Sequence, residues 1–226
     1  MLRQKPAITS LDIGCGLGGL ANYCLKKYPH IGAITGIDLN EVHISHADKV
    51  NAVSGKAFFF YENAESFTST SNPKFAKIIS RKFHKIYMVE VTQDVTVQSF
   101  SRIFDQCHEV LRTNGTISLF TLTIDKPFKN LIEKYVMHML VRPKAPNLSQ
   151  IKDVIDKYNC DVVYEDVTSE STAKMAERLL EDKSIVRKML LWPFSSFFLY
   201  CVKVGLRFLK KGGYACTIIH IHKKDG

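Results

Sequence analysis

A chain of 226 residues, 46% of them hydrophobic, can bury one substantial core but is too short for two full domains. Its six cysteines include no C-x-x-C pair, which argues against a zinc site or a disulfide framework and favours reduced thiols. Residues 1–6 lack the apolar run of a secretory signal peptide. We therefore expect a protein that stays in the cytoplasm.

The net charge of +9 raises nucleic acid as a partner, because lysine and arginine side chains neutralise phosphates. These basic residues are spread along the chain in ones and twos. No arginine-rich run and no pattern of interleaved aromatic residues typical of RNA-binding modules accompanies them. A nucleic-acid partner is therefore disfavoured.

Short apolar runs alternate with amphipathic stretches from Ala7 to Thr123, which predicts βαβ units on a parallel sheet. The predicted strands are Ile8 to Ile13, Ala33 to Asp38, Ala57 to Tyr61, Lys85 to Val91 and Thr116 to Thr123.

Helical spacing of apolar residues predicts three helices in the same region. They span Leu17 to Tyr28, Glu41 to Val53 with Asn40 as N-cap, and Val97 to Leu111. Asn114-Gly115 is expected to end the third helix and turn the chain into the next strand. The Ser, Thr and Asn residues of 68–73 predict a loop.

The pattern changes after residue 124. Helical segments are predicted at 128–141, 148–158 and 171–211, with a break at Pro193, and strands at 161–167 and 214–222. We expect one domain over 1–226, divided into a core at 7–124, a helical cap at 125–213 and a final strand at 214–222.

A glycine-rich motif, Leu11-Asp12-Ile13-Gly14-Cys15-Gly16-Leu17-Gly18-Gly19, lies where the first strand should end and a helix begin. Glycines there let the backbone turn tightly and approach a ligand closely. Asp38 ends the second strand, where its carboxylate can accept hydrogen bonds from the two ribose hydroxyls. This order of features predicts an adenosine-containing ligand at the carboxyl edge of the sheet. An ordinary turn and a dinucleotide-binding dehydrogenase are the alternatives.

The motif closely resembles motif I of class I methyltransferases that depend on S-adenosylmethionine (SAM). In that family an acidic residue precedes the first glycine, whereas dinucleotide-binding folds normally carry an apolar residue there, so Asp12 favours SAM. The resemblance continues at residues 36–40, 62–67, 83–91 and 110–116, and covers about residues 8–124. Residues 166–168 and the final strand resemble the small-molecule branch, which includes sterol, tocopherol, quinone and indole-glycoside methyltransferases.

The resemblance implies an α/β, Rossmann-like fold with a mostly parallel sheet of about seven strands, helices on both faces and a helical cap before the last strand. It also implies SAM as cofactor. No metal ion is expected, because the sequence shows no zinc-ligand spacing. Asp12 is expected near the methionine ammonium, Asp38 at the ribose, and Leu39 and Ala64 on either side of the adenine. The full set of predicted cofactor-binding residues is Asp12, Gly14, Cys15, Gly16, Gly18, Asp38, Leu39, Asn63 and Ala64.

The sequence departs from the family pattern at several positions. Asn63 replaces the usual aspartate, and its amide oxygen can still accept from the adenine amino group. Gln93 and Asp94 stand where a histidine often follows the glutamate of the fourth strand. The sequence also begins almost at motif I, without the helices that commonly cover SAM in this family.

Glu90, at the end of the fourth strand, is the predicted general base if the methyl-accepting atom must lose a proton. The alternative is that Glu90 only positions substrate or cofactor through hydrogen bonds. His84, His108 and His138 are weaker candidates, because single histidines on helices or strand edges are more often structural.

An apolar stripe runs through residues 194–209, with Lys203, Arg207 and Lys210 on another face. It predicts the wall of an apolar substrate pocket, with peripheral contact to an anionic membrane as the alternative. We therefore expect a SAM-dependent methyltransferase acting on a small, apolar or lipid-like molecule. A non-catalytic SAM-binding or partner-binding protein of the same fold and a nucleic-acid methyltransferase are the alternatives.

Overall fold

A computed structural model of the chain describes residues 7–53, 55–124, 131, 134, 144–171 and 215–224. The described strands are β1 Ile8–Ile13, β2 Ile31–Asp38, β3 Ala57–Tyr61, β4 Phe83–Val89, β5 Leu111–Thr123, β6 Cys160–Asp166 and β7 Ala215–Lys223. The helices are α1 Gly19–Lys27, α2 Glu41–Val50, α3 Pro73–Ile79, α4 Val97–Val110 and α5 Leu148–Ile155. Two 3-10 turns, Phe67–Ser69 and Thr92–Asp94, complete the set.

The seven strands form one sheet in the order β3-β2-β1-β4-β5-β7-β6. Strands β1 to β5 pair in parallel, because each is followed by a crossover that returns the chain to the same end of the sheet. Strand β7 runs antiparallel to β5 and β6, between which it lies. The predicted mostly parallel α/β sheet of about seven strands is confirmed.

Two buried clusters cover the two faces of the sheet. The larger one joins β1, β4 and β5 to α3, α4 and α5, with Phe75, Phe100, Phe104 and Ile151 fully buried. The smaller one packs α1 and α2 on the other face through Ala21, Cys24, Ile44 and Ala47. Side chains of a strand alternate between its two faces, so β3 gives Phe60 to the larger cluster and Phe59 to the smaller one.

The order β3-β2-β1-β4 places β1 and β4 side by side, so the connections that follow them open a crevice at the carboxyl ends of the strands. Parallel sheets bind ligands at such a point, where successive crossovers run to opposite sides. The glycine motif follows β1 and therefore lies at this crevice.

Helix α2 begins at its predicted N-cap, since the Asn40 Oδ1 atom accepts hydrogen bonds from the backbone N–H groups of Val42 and His43 at 3.0 and 3.4 Å. Helix α3 begins at the end of the predicted loop of residues 68–73, in a stretch where no helix was predicted. Its start was readable, because Asn72 caps the helix and Pro73 occupies its first turn.

The expectation that Asn114-Gly115 ends the third predicted helix is wrong. Helix α4 ends at Val110, and Leu111 already pairs with Phe83 in the sheet. The pairing then shifts to Lys85 with Thr116, so Asn114 takes its left-handed φ of 60° within an irregularity of β5. Because the chain leaves the helix before Leu111, this residue joins the sheet and its side chain is buried.

The predicted helices at 128–141 and 171–211, with Pro193, fall almost entirely outside the described residues. The apolar stripe of residues 194–209 lies outside them as well. Among the helices that are described, none has the length and apolar character needed to cross a membrane.

Candidate active site

The glycine motif forms a tight loop between β1 and α1. Gly14, Gly16 and Gly18 all have left-handed φ values, of 68°, 52° and 78°. A Cβ atom on Gly14 would lie 2.8 Å from the Cγ2 atom of Val91, and one on Gly18 would lie 2.7 Å from the ring of Phe59. Both the backbone conformation and the space therefore require glycine at positions 14 and 18.

Asp38 ties this loop to the start of α2. Its Oδ2 atom accepts a hydrogen bond from the Gly16 backbone N–H at 2.9 Å, and its Oδ1 atom accepts one from the Asn40 N–H at 2.8 Å. The Nδ1 atom of His43 lies 3.5 Å from Oδ1. A carboxylate offers about four acceptor positions, so Asp38 can hold the loop and still accept from a ligand hydroxyl.

A cavity of about 250 Å³ opens beside the loop, at the carboxyl ends of the strands. Six of the predicted site residues line it, namely Gly14, Asp38, Leu39, Asn63, Ala64 and Glu90. Cys15, Gly16 and Gly18 shape the loop but do not line the cavity. Cys15 packs behind it, since its Cβ atom would lie 2.8 Å from a Cβ placed on Gly36.

The same cavity is lined by residues that sequence reasoning did not select: Ile13, Ile37, Glu62, Glu65, Val89, Val91, Asp94, Val95 and Ile103. Some signal for them was present, because Glu62 and Glu65 flank Asn63-Ala64 and Asp94 follows Glu90 closely. No sequence signal pointed to Ile103, which reaches the cavity from α4.

Carboxylates dominate the polar part of the lining. Five acidic residues line the cavity, Asp38, Glu62, Glu65, Glu90 and Asp94, and no lysine or arginine does among the residues that the structure describes there. Arg102 forms an ion pair with Glu65, at 2.5 Å between Nη2 and Oε2. This charge suits a cationic ligand and opposes a pyrophosphate.

Asn63 holds the segment after β3 in a turn. Its Oδ1 atom accepts a hydrogen bond from the Glu65 backbone N–H at 2.9 Å. The side chain that was expected to accept from adenine is thus already an acceptor within its own loop, although an amide oxygen has a second lone pair.

Asp12 is buried beneath the glycine loop, with 2% of its surface exposed, and lies between Gly36 of β2 and Tyr87 of β4 in the strand register. Its Oδ2 atom finds no hydrogen-bond partner among the described residues. Burial first, and the negative charge of Asp38 second, raise the pKa of Asp12 to about 7. Asp12 does not line the cavity, so its expected place at the methionine ammonium stays a prediction.

Glu90 lies at the predicted position, directly after β4, and lines the cavity. Its φ of 59° is left-handed, a conformation that non-glycine residues rarely adopt outside functional sites and turns. The backbone N–H of Glu90 donates to the carbonyl oxygen of Phe120 on β5 at 3.1 Å.

The alternative bases lie elsewhere. His84 is near the amino end of β4, where its Nδ1 atom accepts from the Thr9 N–H at 3.1 Å, and burial lowers its pKa. His108, on α4, packs against the ring of Tyr158, with ring centroids 4.8 Å apart and the planes tilted by 43°. Neither residue lines the cavity, and His138 falls outside the described residues.

Comparison with known proteins agrees with this geometry. A sequence profile of the methyltransferase domain matches residues 11–117. Sphingolipid C9-methyltransferase A of Emericella nidulans is 28% identical over 156 residues, which are 68% of this chain and 29% of that protein. The chain thus spans less than a third of this curated relative.

Solved structures share the fold at low sequence identity. The cyclopropane synthase MmaA2 of Mycobacterium tuberculosis superposes with a TM-score of 0.73 at 15% identity, covering 97% of this chain and 79% of that one. Phosphoethanolamine N-methyltransferase 2 of Haemonchus contortus, solved with SAM, superposes with a TM-score of 0.71 at 18% identity, covering 98% and 50%. The methyltransferase-domain profile thus spans the glycine loop, strands β2 to β4 and every described residue that lines the cavity, and the chain shares its fold with these two solved structures.

Proposed function

We propose that this chain binds SAM and transfers its methyl group to a small, apolar or lipid-like molecule. The observation that carries the proposal is the cavity beside the glycine loop, whose charged lining is acidic throughout the described residues. SAM is a cationic nucleoside, whereas a dinucleotide would bring a pyrophosphate to the same loop. The acidic lining therefore favours SAM over the dehydrogenase alternative.

The residues present fit SAM. Asp38 would accept from the ribose hydroxyls, Leu39 and Ala64 would enclose the adenine beside Asn63, and Gly14 to Gly16 would pack along the methionine and ribose. Asp12, whose pKa burial raises to about 7, would lie beneath the loop, where the methionine ammonium would favour its charged form directly or through water. Gly18 is needed for the shape of the loop rather than for contact with the ligand.

Bound SAM supplies a methyl group on a positively charged sulfur, whose transfer is an in-line displacement. The chain contributes alignment of the reactants and exclusion of water. Glu90 either orients the acceptor through a hydrogen bond or takes its proton. Positioning is the simpler role, because no general base is obligatory when the acceptor is already nucleophilic.

A lipid-like acceptor is supported by two observations. The cavity has an apolar portion formed by Ile13, Ile37, Val89, Val95 and Ile103. The curated relative, by its name, methylates a sphingolipid. We propose the acceptor class on these grounds, with the region of residues 125–213 as the cap that selects it.

Calorimetry of the protein with SAM, S-adenosylhomocysteine and NAD+ tests the cofactor assignment. We expect both sulfur nucleosides to bind and NAD+ not to bind. Binding of NAD+ without either sulfur nucleoside would reverse the assignment.

Incubation with methyl-labelled SAM and ceramide in detergent micelles tests the reaction, with a total metabolite extract and added RNA as parallel acceptors. Label in the lipid or small-molecule fraction is the expected outcome. Label in RNA would favour a nucleic-acid methyltransferase. SAM binding with no label in any fraction would favour a non-catalytic binding protein.

We also propose that the protein is cytoplasmic and that the apolar stripe of residues 194–209 forms a wall of the substrate pocket, with peripheral contact to an anionic membrane as the alternative. Flotation with anionic phospholipid vesicles tests this contact, and neutral vesicles are the control. Equal recovery with both kinds of vesicle, or recovery with neither, would contradict a contact that depends on Lys203, Arg207 and Lys210.

A further inference from the structure

One short segment forms a complete side of the cavity. After β4 ends at Val89, the chain makes the left-handed step at Glu90 and the 3-10 turn Thr92–Asp94 before α4. This segment, residues 90–94, gives the cavity Glu90, Val91 and Asp94. The position of these three side chains therefore depends on what holds the segment in place.

Thr92 points away from the cavity and into the protein. It is 1% exposed, and its Oγ1 atom lies 2.6 Å from the Oγ1 atom of Thr121 on β5, which is fully buried. Residues 117 and 119 on the same face of β5 are Ile and Leu, also fully buried. Along the buried face of β5, the aliphatic side chains of Ile117 and Leu119 are thus followed by the hydroxyl-bearing side chain of Thr121, at the point where the 90–94 segment packs.

A buried hydroxyl pair of this kind is directional. If the segment moved away from β5, two buried hydroxyl groups would lose their partners, which is more costly than losing apolar contact alone. The pair therefore penalises other placements of the segment. It can also offset the cost of the left-handed φ at Glu90, whose N–H bonds to the neighbouring Phe120 carbonyl.

The segment also contacts the glycine loop. The Cγ2 atom of Val91 fills the space that a side chain on Gly14 would need, at 2.8 Å from the position of that Cβ. A shift of the 90–94 segment would change this contact and the acidic lining together.

We propose that the Thr92–Thr121 hydroxyl pair is a positioning element of the cofactor site: it locks the 90–94 segment on β5 so that Glu90 and Val91 face the ligand. The inference rests on the proposed SAM site, and assigns a role there to two residues that do not line the cavity.

The test compares Thr92→Val, Thr121→Val and the double variant with Thr92→Ser, which keeps the hydroxyl. Two quantities are measured on the full chain: hydrogen exchange of the Glu90 amide, and the SAM dissociation constant by calorimetry. Thr35→Val is the matched control, because Thr35 is equally buried on β2 and lies away from the 90–94 segment.

We expect each single Val variant to speed exchange at Glu90 and weaken SAM binding, each by about tenfold or more. Thr92→Ser and Thr35→Val should stay within about twofold of the native chain in both measurements. The double variant leaves no hydroxyl unpaired, so it should fold even if a single variant does not, and it should still bind SAM weakly because the directional bond is gone.

Unchanged exchange and affinity in the folded Val variants, the double variant included, would overturn the proposal and leave the pair a purely stabilising contact. Failure of the native chain to bind SAM would instead overturn the proposed function. The exchange measurement on the ligand-free chain would still decide whether the pair holds the segment.

Discussion

At the scale of the residue, Asp12 makes the stability of the fold depend on pH. Its pKa rises from 3.8 to about 7 on folding, so the folded chain holds a proton that the unfolded chain releases between these values. Stability at this site is therefore fully present below pH 4 and is lost as the pH rises through 7. The limiting loss is on the order of 4 kcal/mol at about 1.4 kcal/mol per pKa unit.

Asp12→Asn should flatten this dependence, because the amide does not titrate. Urea unfolding at pH 5 and pH 8 measures it: the native chain should lose more stability over this interval than the variant. Asp161→Asn, at an exposed ion pair with Lys224, is the control and should behave as the native chain does. Parallel pH profiles for native and Asp12→Asn proteins would show that Asp12 is ionised throughout.

Asp38→Asn should weaken SAM binding by about tenfold or more, since an amide has one acceptor oxygen where the carboxylate has two for the N–H groups of Gly16 and Asn40. Calorimetry measures the change. Glu62→Gln is the control, because it removes the same charge from the cavity lining without touching the glycine loop. Equal losses in the two variants would mean that charge alone, and not the anchoring of the loop, sets the affinity.

At the scale of the element, the strand-to-helix loop tolerates change at one end and not at the other. Gly14→Ala places a side chain at a φ of 68° and against Val91, so we expect SAM binding to be lost. Gly19→Ala adds a Cβ with nothing within 4 Å in the first turn of α1, so affinity should be kept and stability should rise by up to about 1 kcal/mol. Thermal unfolding and calorimetry of both variants check this, and retained binding by Gly14→Ala would contradict the tight fit of the loop.

Sequence patterns predicted the elements that have strong local signals. Strands β1 and β3 have the predicted bounds, and Asn40 caps α2 as expected. Helix α3 was missed because seven residues make only about two turns, which is too few to show a clear helical repeat of apolar residues. Phe75 and Ile79 nevertheless lie one turn apart and are both buried. Likewise, the early start of β5 depends on Leu111 pairing with Phe83, a distant contact that no local pattern encodes.

The site divides in the same way. Gly14, Asp38 and Glu90 were predictable because each lies at the carboxyl end of a strand, in a recognisable order along the chain. The second bonding role of Asp38, the contact of Val91 with Gly14 and the Thr92–Thr121 pair were not, since each joins segments far apart in the chain. Local sequence thus indicates which residues meet at the site, and tertiary packing decides what holds them there.

At the scale of the whole molecule, ligand binding should appear as thermal stabilisation. A ligand that binds only the folded chain, at 100 times its dissociation constant, adds about 2.7 kcal/mol. For a chain of this size, that raises the Tm by roughly 5–10 °C. Scanning calorimetry with SAM should show the shift and NAD+ at the same concentration should not. A larger shift with NAD+ would contradict the proposed cofactor.

The interior place of β7 has a consequence for how the protein is made. Among the described strands, β6 lies at the edge of the sheet and pairs only with β7, and the pairing of β7 with β5 joins Thr116 to His222 across 106 residues of chain. During synthesis on the ribosome, β1 to β5 can emerge and fold together. Strand β6 lacks its described pairing partner until residues 215–223, which form β7, have been synthesised. Insertion of β7 between β5 and β6 should therefore be the slow step of folding, and β6 should be the segment most available to chaperones during translation.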